Sequence, residues 1–170
     1  MAASEVTLKD GRTSTIKAIA PDDKEDLVRF YATLSPEVLK WALPPYDRAR
    51  VERFFGSPEL IGLVASSGGK VVGHPHIFRY ASRMSHLGEL IIYLNQDFQN
   101  VGLGTAMMKR ALQMAKEKGL HRVQLSVILG NDSAVRLYEK VGFRREGVRA
   151  HGYTDEDGRY YDALEMGIIL

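Results

Sequence analysis

The stretch Gln99-Asn100-Val101-Gly102-Leu103-Gly104-Thr105 sets two glycines at the opening of an amphipathic helical pattern, a combination suited to holding an anion. Glycines at such a junction let the main chain approach a bound group. The free N–H groups of the first helical turn, together with the helix dipole, favour negative charge there. A pyrophosphate is the natural occupant; the plain alternative is that Gly102 and Gly104 only shape a tight strand-to-helix turn. Glu89 is the one acid in the apolar run LGELIIYL, residues 87–94. Its carboxyl is either a core acid satisfied by a local partner or a base whose pKa burial raises. His74 and His76, two apart on an expected strand, would share a face and invite a metal or base reading. Pro75 between them and the lack of a carboxylate at ligand spacing argue against a metal site.

The elements that must position these residues follow from periodicity. Val6 to Ile19 reads as two short strands around the turn Lys9-Asp10-Gly11-Arg12, Asp-Gly being a strong hairpin signal. A helix opens at Pro21-Asp22 with Leu27, Val28, Phe30, Tyr31 and Leu34 as its apolar stripe. A second helical piece starts at Ser35-Pro36-Glu37 and stops before Pro44-Pro45, and a third runs from Asp47 to Phe55. Strands are expected over 59–66 and 70–80, where Pro75, lacking an N–H, marks an edge, a bulge or a strand end. Residues 87–94 read as a strand buried on both faces, 103–118 as a helix ended by Gly119, 122–127 as a strand, and 131–140 as a helix. Phe143 onward with 160–169 forms a closing hairpin or meander. The strand–helix–strand unit 87–127 has the length of a right-handed parallel crossover, and the remaining strands look antiparallel. The expected class is α/β (α+β): a mixed sheet with helices on both faces, in a single domain over 1–170.

Composition excludes much chemistry and nominates none. The 170 residues hold no cysteine, which removes disulfides, thiolate nucleophiles and cysteine metal sites, and five histidines are the only soft ligands left. The formal charge of +2, from 23 basic and 21 acidic residues, favours neither a nucleic-acid nor a membrane partner. No apolar run approaches the ~20 residues of a membrane span, and MAASEVTLKDGR lacks the order of a signal peptide, so a cytoplasmic location is expected.

Two common phosphate motifs fail against the glycine segment. A dinucleotide fingerprint wants a third glycine where Met107 stands, and a P-loop wants Gly-Lys-Ser/Thr. The pattern Q-x-x-G-x-G, made by Gln99, Gly102 and Gly104 after a buried strand and before a helix, resembles the acyl-CoA-binding motif of the GNAT superfamily of N-acetyltransferases. About thirty residues on, Asn131 to Phe143 reads N-x-x-A-x-x-L-Y-x-K-x-G-F, which is similar to that family's other signature. The resemblance covers about residues 6–170. It implies a strongly twisted mixed sheet whose strands 87–94 and 122–127 splay apart around acetyl-CoA, a co-substrate needing no metal.

Residue by residue, the resemblance implies that the main chain of Ile92, Tyr93 and Leu94 pairs with the pantetheine arm as an added strand. The N–H groups of Gln99, Asn100, Val101, Gly102, Leu103, Gly104 and Thr105 would hold the pyrophosphate. Asn131, Ala134, Leu137 and Lys140 would line the pantetheine and adenine side, although Lys140 is also an ordinary solvated helix charge. Glu89 corresponds to the general base that takes the amine proton, directly or through water. Its other readings are structural or as a binder of the substrate cation. Tyr138 corresponds to the general acid that protonates the departing thiolate, or is an aromatic packing on the sheet. The N–H of Leu94 is the candidate oxyanion donor. The lack of cysteine agrees with direct transfer in a ternary complex.

The acceptor is a primary amine that the sequence leaves open among protein lysines or N-termini, polyamines and other small amines. The opening text is similar to prokaryotic Pat-type protein-lysine acetyltransferases. The closing text FRREGVRAHGYTDEDGRYYDALEMGIIL is similar to the end of polyamine, amino-acid-like and ribosomal-protein acetyltransferases. Either of His74 and His76 could line the acceptor pocket beside Glu89, and Trp41 and Tyr46 are wall residues or packing anchors. Asp155-Glu156-Asp157 either attracts a cationic acceptor or forms an exposed turn. The competing reading is a CoA-holding sensor without turnover. The apolar C-terminal strands suit either a homodimer contact or a core.

Overall fold

The computed structural model describes residues 2–42 and 46–170. Eight strands form one sheet in the order β1-β2-β3-β4-β5-β6-β8-β7. They are β1 (Ser4–Thr7), β2 (Thr13–Ala18), β3 (Leu60–Ser67), β4 (Lys70–Arg79), β5 (Leu87–Leu94), β6 (Arg122–Ile128), β7 (Arg144–Thr154) and β8 (Tyr160–Ile169). Every neighbouring pair is antiparallel except β5 and β6. The connection between those two passes through α4 (Leu103–Glu117), the crossover that parallel strands require. The other helices are α1 (Lys24–Ala32), α2 (Pro36–Leu39), α3 (Arg48–Gly56) and α5 (Asp132–Lys140). The expected stop before Pro44-Pro45 falls at residues 43–45, outside the described residues.

Alternation along the strands sends side chains into two cores. On one face Leu63, Ile77, Leu90, Val123 and Leu125 pack against the Leu103, Met107, Met108, Ala111 and Ala115 stripe of α4. On the other, Val64, Val71 and Tyr93 pack against Leu27, Phe30 and Tyr31 of α1 and Val51 and Phe54 of α3. Helices thus cover both faces, as the period change at Leu103 requires.

Pro75 lies inside β4, an interior strand, so of the three expected settings it is neither at an edge nor at a strand end but beside an irregularity. The ladder to β5 runs unbroken past Pro75↔Ile92, while the ladder to β3 skips from Gly62↔His76 to Ala65↔Gly73 and then shifts register before Ser66↔Val71. The missing N–H therefore faces β3, on the side where the ladder is irregular. Side-chain alternation survives, so His74 and His76 stay on one face with rings 4.6 Å apart.

Candidate active site

Strands β5 and β6 pair only from Leu87↔Arg122 to Glu89↔Gln124. Beyond Glu89 they part, because β6 continues its ladder with β8 from Arg122↔Ile169 to Ile128↔Ala163 while β5 stays with β4 as far as Leu94. The N–H of Tyr80 bonds Leu87 O at 3.1 Å and that of Asn95 bonds Val72 O at 2.9 Å, so the odd-numbered residues of β5 face β4. Alternation turns the main-chain groups of Leu90, Ile92 and Leu94 toward the split, leaving an unpaired edge inside the sheet. Tyr93, expected to add a main-chain contact there, has its own main chain committed to β4 and its side chain buried against Tyr31.

The split widens into a cleft of about 700 Å³. Of the residues expected at the site, Glu89, Ile92, Tyr93, Leu94, Gln99, Asn100, Gly102, Gly104, Thr105, Asn131, Ala134, Leu137, Tyr138 and Lys140 line it. Val101 and Leu103 are the exceptions: Leu103 opens α4 and turns into the core, and Val101 packs against the same core. The loop from Gln99 turns through Asn100 (φ 61°) and Gly102 (φ 94°). The first helical bond of α4 is Ala106 N–H to Gly102 O, 3.2 Å. Among the described residues, the N–H groups of residues 100–105 meet no protein acceptor. Gly104 is a close-approach position: a Cβ there would lie 3.2 Å from Leu137 Cδ2 and 3.7 Å from Leu94 Cδ2, where α4, α5 and β5 meet. The donor set and the bare main chain fit the pyrophosphate and pantetheine of acetyl-CoA.

The second signature folds as its residues dictate. Asn131 caps α5, its side-chain oxygen accepting from Ala134 N–H at 3.2 Å. The helix closes with Phe143 N–H on Tyr138 O and Gly142 N–H on Glu139 O, both 3.0 Å, and Phe143 enters the core. This fixes Tyr138 at the cleft. Burial, with Tyr153 beside it, pushes the Tyr138 phenol up from its ordinary value, so it keeps its proton at neutral pH. Among the described residues its hydroxyl has no hydrogen-bond partner.

Glu89 is half-buried and accepts a hydrogen bond from the Tyr80 hydroxyl, which Gln124 Nε2 approaches at 3.5 Å. This bond raises the Tyr80 pKa. Tyr80 is therefore the local partner of Glu89, and sequence reading missed it because the contact crosses from the end of β4. On the same face Ser126 Oγ donates to Glu165 at 3.0 Å, Arg149 reaches Glu165 at 3.2 Å, and the Tyr153 hydroxyl donates to Ser126 O at 3.2 Å.

His74 and His76 are not in the cleft. Both are buried beneath α1 and α3, exposed 0% and 1%, with Phe54 4.9 Å from the His76 ring. The Tyr31 hydroxyl hydrogen-bonds His74 Nδ1 at 2.7 Å, while among the described residues His74 Nε2 and both His76 nitrogens have no partner. Burial lowers the His74 pKa to about 3 and that of His76 well below 6.5. Among the described residues, no group of three His, Asp or Glu side chains is placed to hold a metal. Trp41 does line the cleft, with Glu37 and Val38 of α2, whereas Tyr46 stacks on Tyr31 at 4.8 Å as a packing anchor. Asp155 accepts from Asp157 N–H, Arg159 N–H and the Tyr161 hydroxyl, so it is spent on its own turn.

A sheet split between parallel strands, with an N–H-rich loop at one end and a carboxylate and a phenol on its walls, defines an acyl-CoA-dependent transferase. Residues 25–143 match the acetyltransferase (GNAT) family, and the chain belongs to it. It is 32% identical over 127 residues to the L-amino acid N-acetyltransferase AaaT of Escherichia coli (strain K12), covering 74% of this chain and 78% of that protein. The GNAT domain of S. lividans PAT shares the fold at TM-score 0.83 and 23% identity, over 99% of this chain and 97% of that one. So does yncA of Salmonella typhimurium, a putative acetyltransferase solved with acetyl-CoA, at TM-score 0.78 and 21% identity over 92% and 94%. The chain is an acetyl-CoA-dependent N-acetyltransferase. No helix among the described residues is long and apolar enough to cross a membrane.

Proposed function

We propose that this enzyme moves an acetyl group from acetyl-CoA directly to a primary amine while both substrates are bound. The observation that carries the reading is the convergence of Glu89, Tyr138 and the unpaired Ile92–Leu94 edge on one cleft whose far end is the N–H cradle. Acetyl-CoA supplies the activated thioester. Glu89, held by Tyr80, takes the proton of the incoming ammonium, directly or through one water, so that the neutral amine can attack. The Leu94 N–H faces the split, where a preorganised donor stabilises the developing oxyanion. As the C–S bond breaks, the neutral Tyr138 phenol gives its proton to the leaving thiolate, and the second proton shed by the nitrogen as the amide forms restores the phenol through solvent.

The cleft's acidic linings are Glu37 and Glu89, which suit an amine that arrives protonated. Free amino acids, peptide N-termini, lysine side chains and polyamines all meet that condition, and the E. coli relative is named for acetylating L-amino acids. Acetyl-CoA as co-substrate and the absence of cysteine suit a cytoplasmic enzyme, and the exposed β7 edge suits pairing of two copies. Thiol release from acetyl-CoA, measured against an L-amino acid panel, an Ala-first peptide, a lysine peptide and spermidine, tests the reading. Release accelerated by one acceptor class, with formation of its N-acetyl product, is expected. Tight acetyl-CoA binding with no transfer to any of them would favour a sensor.

A further inference from the structure

The turn between β1 and β2 docks on the anion loop, a contact that neither signature motif contains. Lys9 N–H donates to Val101 O at 3.0 Å, and Leu8, in the core, anchors the preceding residue. The turn is closed by Leu8 N–H on Arg12 O at 2.8 Å and Gly11 N–H on Leu8 O at 3.0 Å. Arg12 is consumed in holding the turn: it pairs with Asp10 at 2.6 Å, donates to Asp97 O at 2.6 Å and lies 3.9 Å over the Phe98 ring. Lys9 is different. Its main chain is fixed, its side chain lines the cleft, and it forms no ion pair among the described residues. Its stem crosses the loop at the glycine, with Cγ 3.9 Å from where a Gly102 Cβ would stand.

We propose that Lys9 is a pyrophosphate-binding residue for coenzyme A, its ammonium completing from the first hairpin the cradle that the main chain of residues 99–105 opens. The inference rests on the acetyl-CoA reading of the cleft and adds to it a cation from outside the motif. The cleft then carries both signs of charge. Lys9, Arg136 and Lys140 stand among its linings with the N–H loop, and Glu37 and Glu89 are its anionic residues, so the phosphates and the amine are drawn to different groups. Lys9 is assigned to the pyrophosphate rather than to the ribose phosphate because its stem lies on Gly102, inside the run of free N–H groups. An ammonium there makes a charge-assisted contact without disturbing the fold, since its main-chain bond to Val101 does not depend on the side chain.

Calorimetric titration of wild type, Lys9→Ala and Lys9→Arg with CoA, dephospho-CoA and pantetheine tests this. Lys9→Ala is expected to weaken CoA and dephospho-CoA alike, by about fivefold each, the size of a solvent-facing charge contact. Pantetheine, which has no phosphate, should bind both proteins equally, Lys9→Arg should restore most of the loss, and added salt should shrink it. Wild-type CoA affinity in Lys9→Ala, an equal loss with pantetheine, or a loss that disappears with dephospho-CoA would each overturn the assignment. Failure of wild type itself to bind CoA would instead overturn the acetyl-CoA reading of the cleft, whatever Lys9 does.

Discussion

The end of the cleft around Gly102 is made mostly from one run of chain, residues 99–105, plus one helix that its own sequence caps. The end around Glu89 is assembled from Tyr80 after β4, Glu89 on β5, Gln124 and Ser126 on β6 and Tyr153 on β7. In the proposed mechanism the phosphate end works through main-chain N–H groups that any backbone of the right shape supplies. The acceptor end then works through side chains from separate elements, which can change one at a time without disturbing the sheet. A single scaffold can therefore keep its donor substrate while its acceptor changes.

Removing the side-chain chemistry should separate the two ends most sharply. Glu89→Gln and Tyr138→Phe are each expected to lower kcat by about 100-fold, the usual worth of a positioned acid or base, with acetyl-CoA affinity retained. Steady-state kinetics beside a binding titration would show it. Equal losses in kcat and in affinity would erase the distinction between the ends.

Acid should undermine the face that carries the acceptor wall. Among the described residues His74 and His76 are buried with no ion-pair partner, and the His74 pKa falls from 6.5 to about 3. A histidine depressed in the folded state costs nothing above pH 6.5, and stability is lost as pH falls below that value, because the unfolded chain binds the proton more readily. At about 1.4 kcal/mol per unit, His74 alone removes roughly 2–3 kcal/mol by pH 4.5. Urea melts at pH 7 and pH 4.5 measure it, and His76→Phe should flatten the dependence. Hydrogen exchange should open α1 and α3 before α4.

The packing of the phosphate end is tested at Gly104. Gly104→Val places branches where a Cβ already meets Leu137 at 3.2 Å, pushing α4 and α5 apart. A loss of about tenfold in acetyl-CoA affinity is expected, since overpacking typically costs 1–3 kcal/mol. Leu137→Ala in the same chain should recover part of it. The smallest effect belongs to a pair outside both ends. Arg122 Nη1 meets Glu146 Oε1 at 2.7 Å above Gly167, and both side chains are partly exposed, so Arg122→Ala should cost about 1 kcal/mol or less with unchanged kinetic constants.

What the sequence revealed follows the same division. The Gln99–Gly104 loop and the helix over 131–140 are local, so glycine spacing and helical period exposed them, while the Asn131 cap and the closing turn at Gly142 emerged only in the structure. The parallel pair was legible from the crossover length, and its splay from the resemblance. Tyr80 and Lys9 were not, because each reaches the site across strands whose register no local pattern states. Pro75 was legible only as one of three settings, and the strand order decided among them: β4 is interior, and the ladder on the side of the missing N–H skips and then shifts register. His74 and His76 share a face as expected, but that face lies under α1 and α3, and only the strand order reveals it.

The central claim is that binding and chemistry are separable across the cleft. The double variant Glu89→Gln/Tyr138→Phe, titrated with acetyl-CoA and then assayed with a good amine acceptor, tests it most directly. The account predicts an affinity within about threefold of wild type and thiol release at the uncatalysed rate, because the double loss removes both proton-transfer groups and leaves the cradle untouched. Transfer at near the wild-type rate, or loss of acetyl-CoA binding in a folded protein, would contradict it.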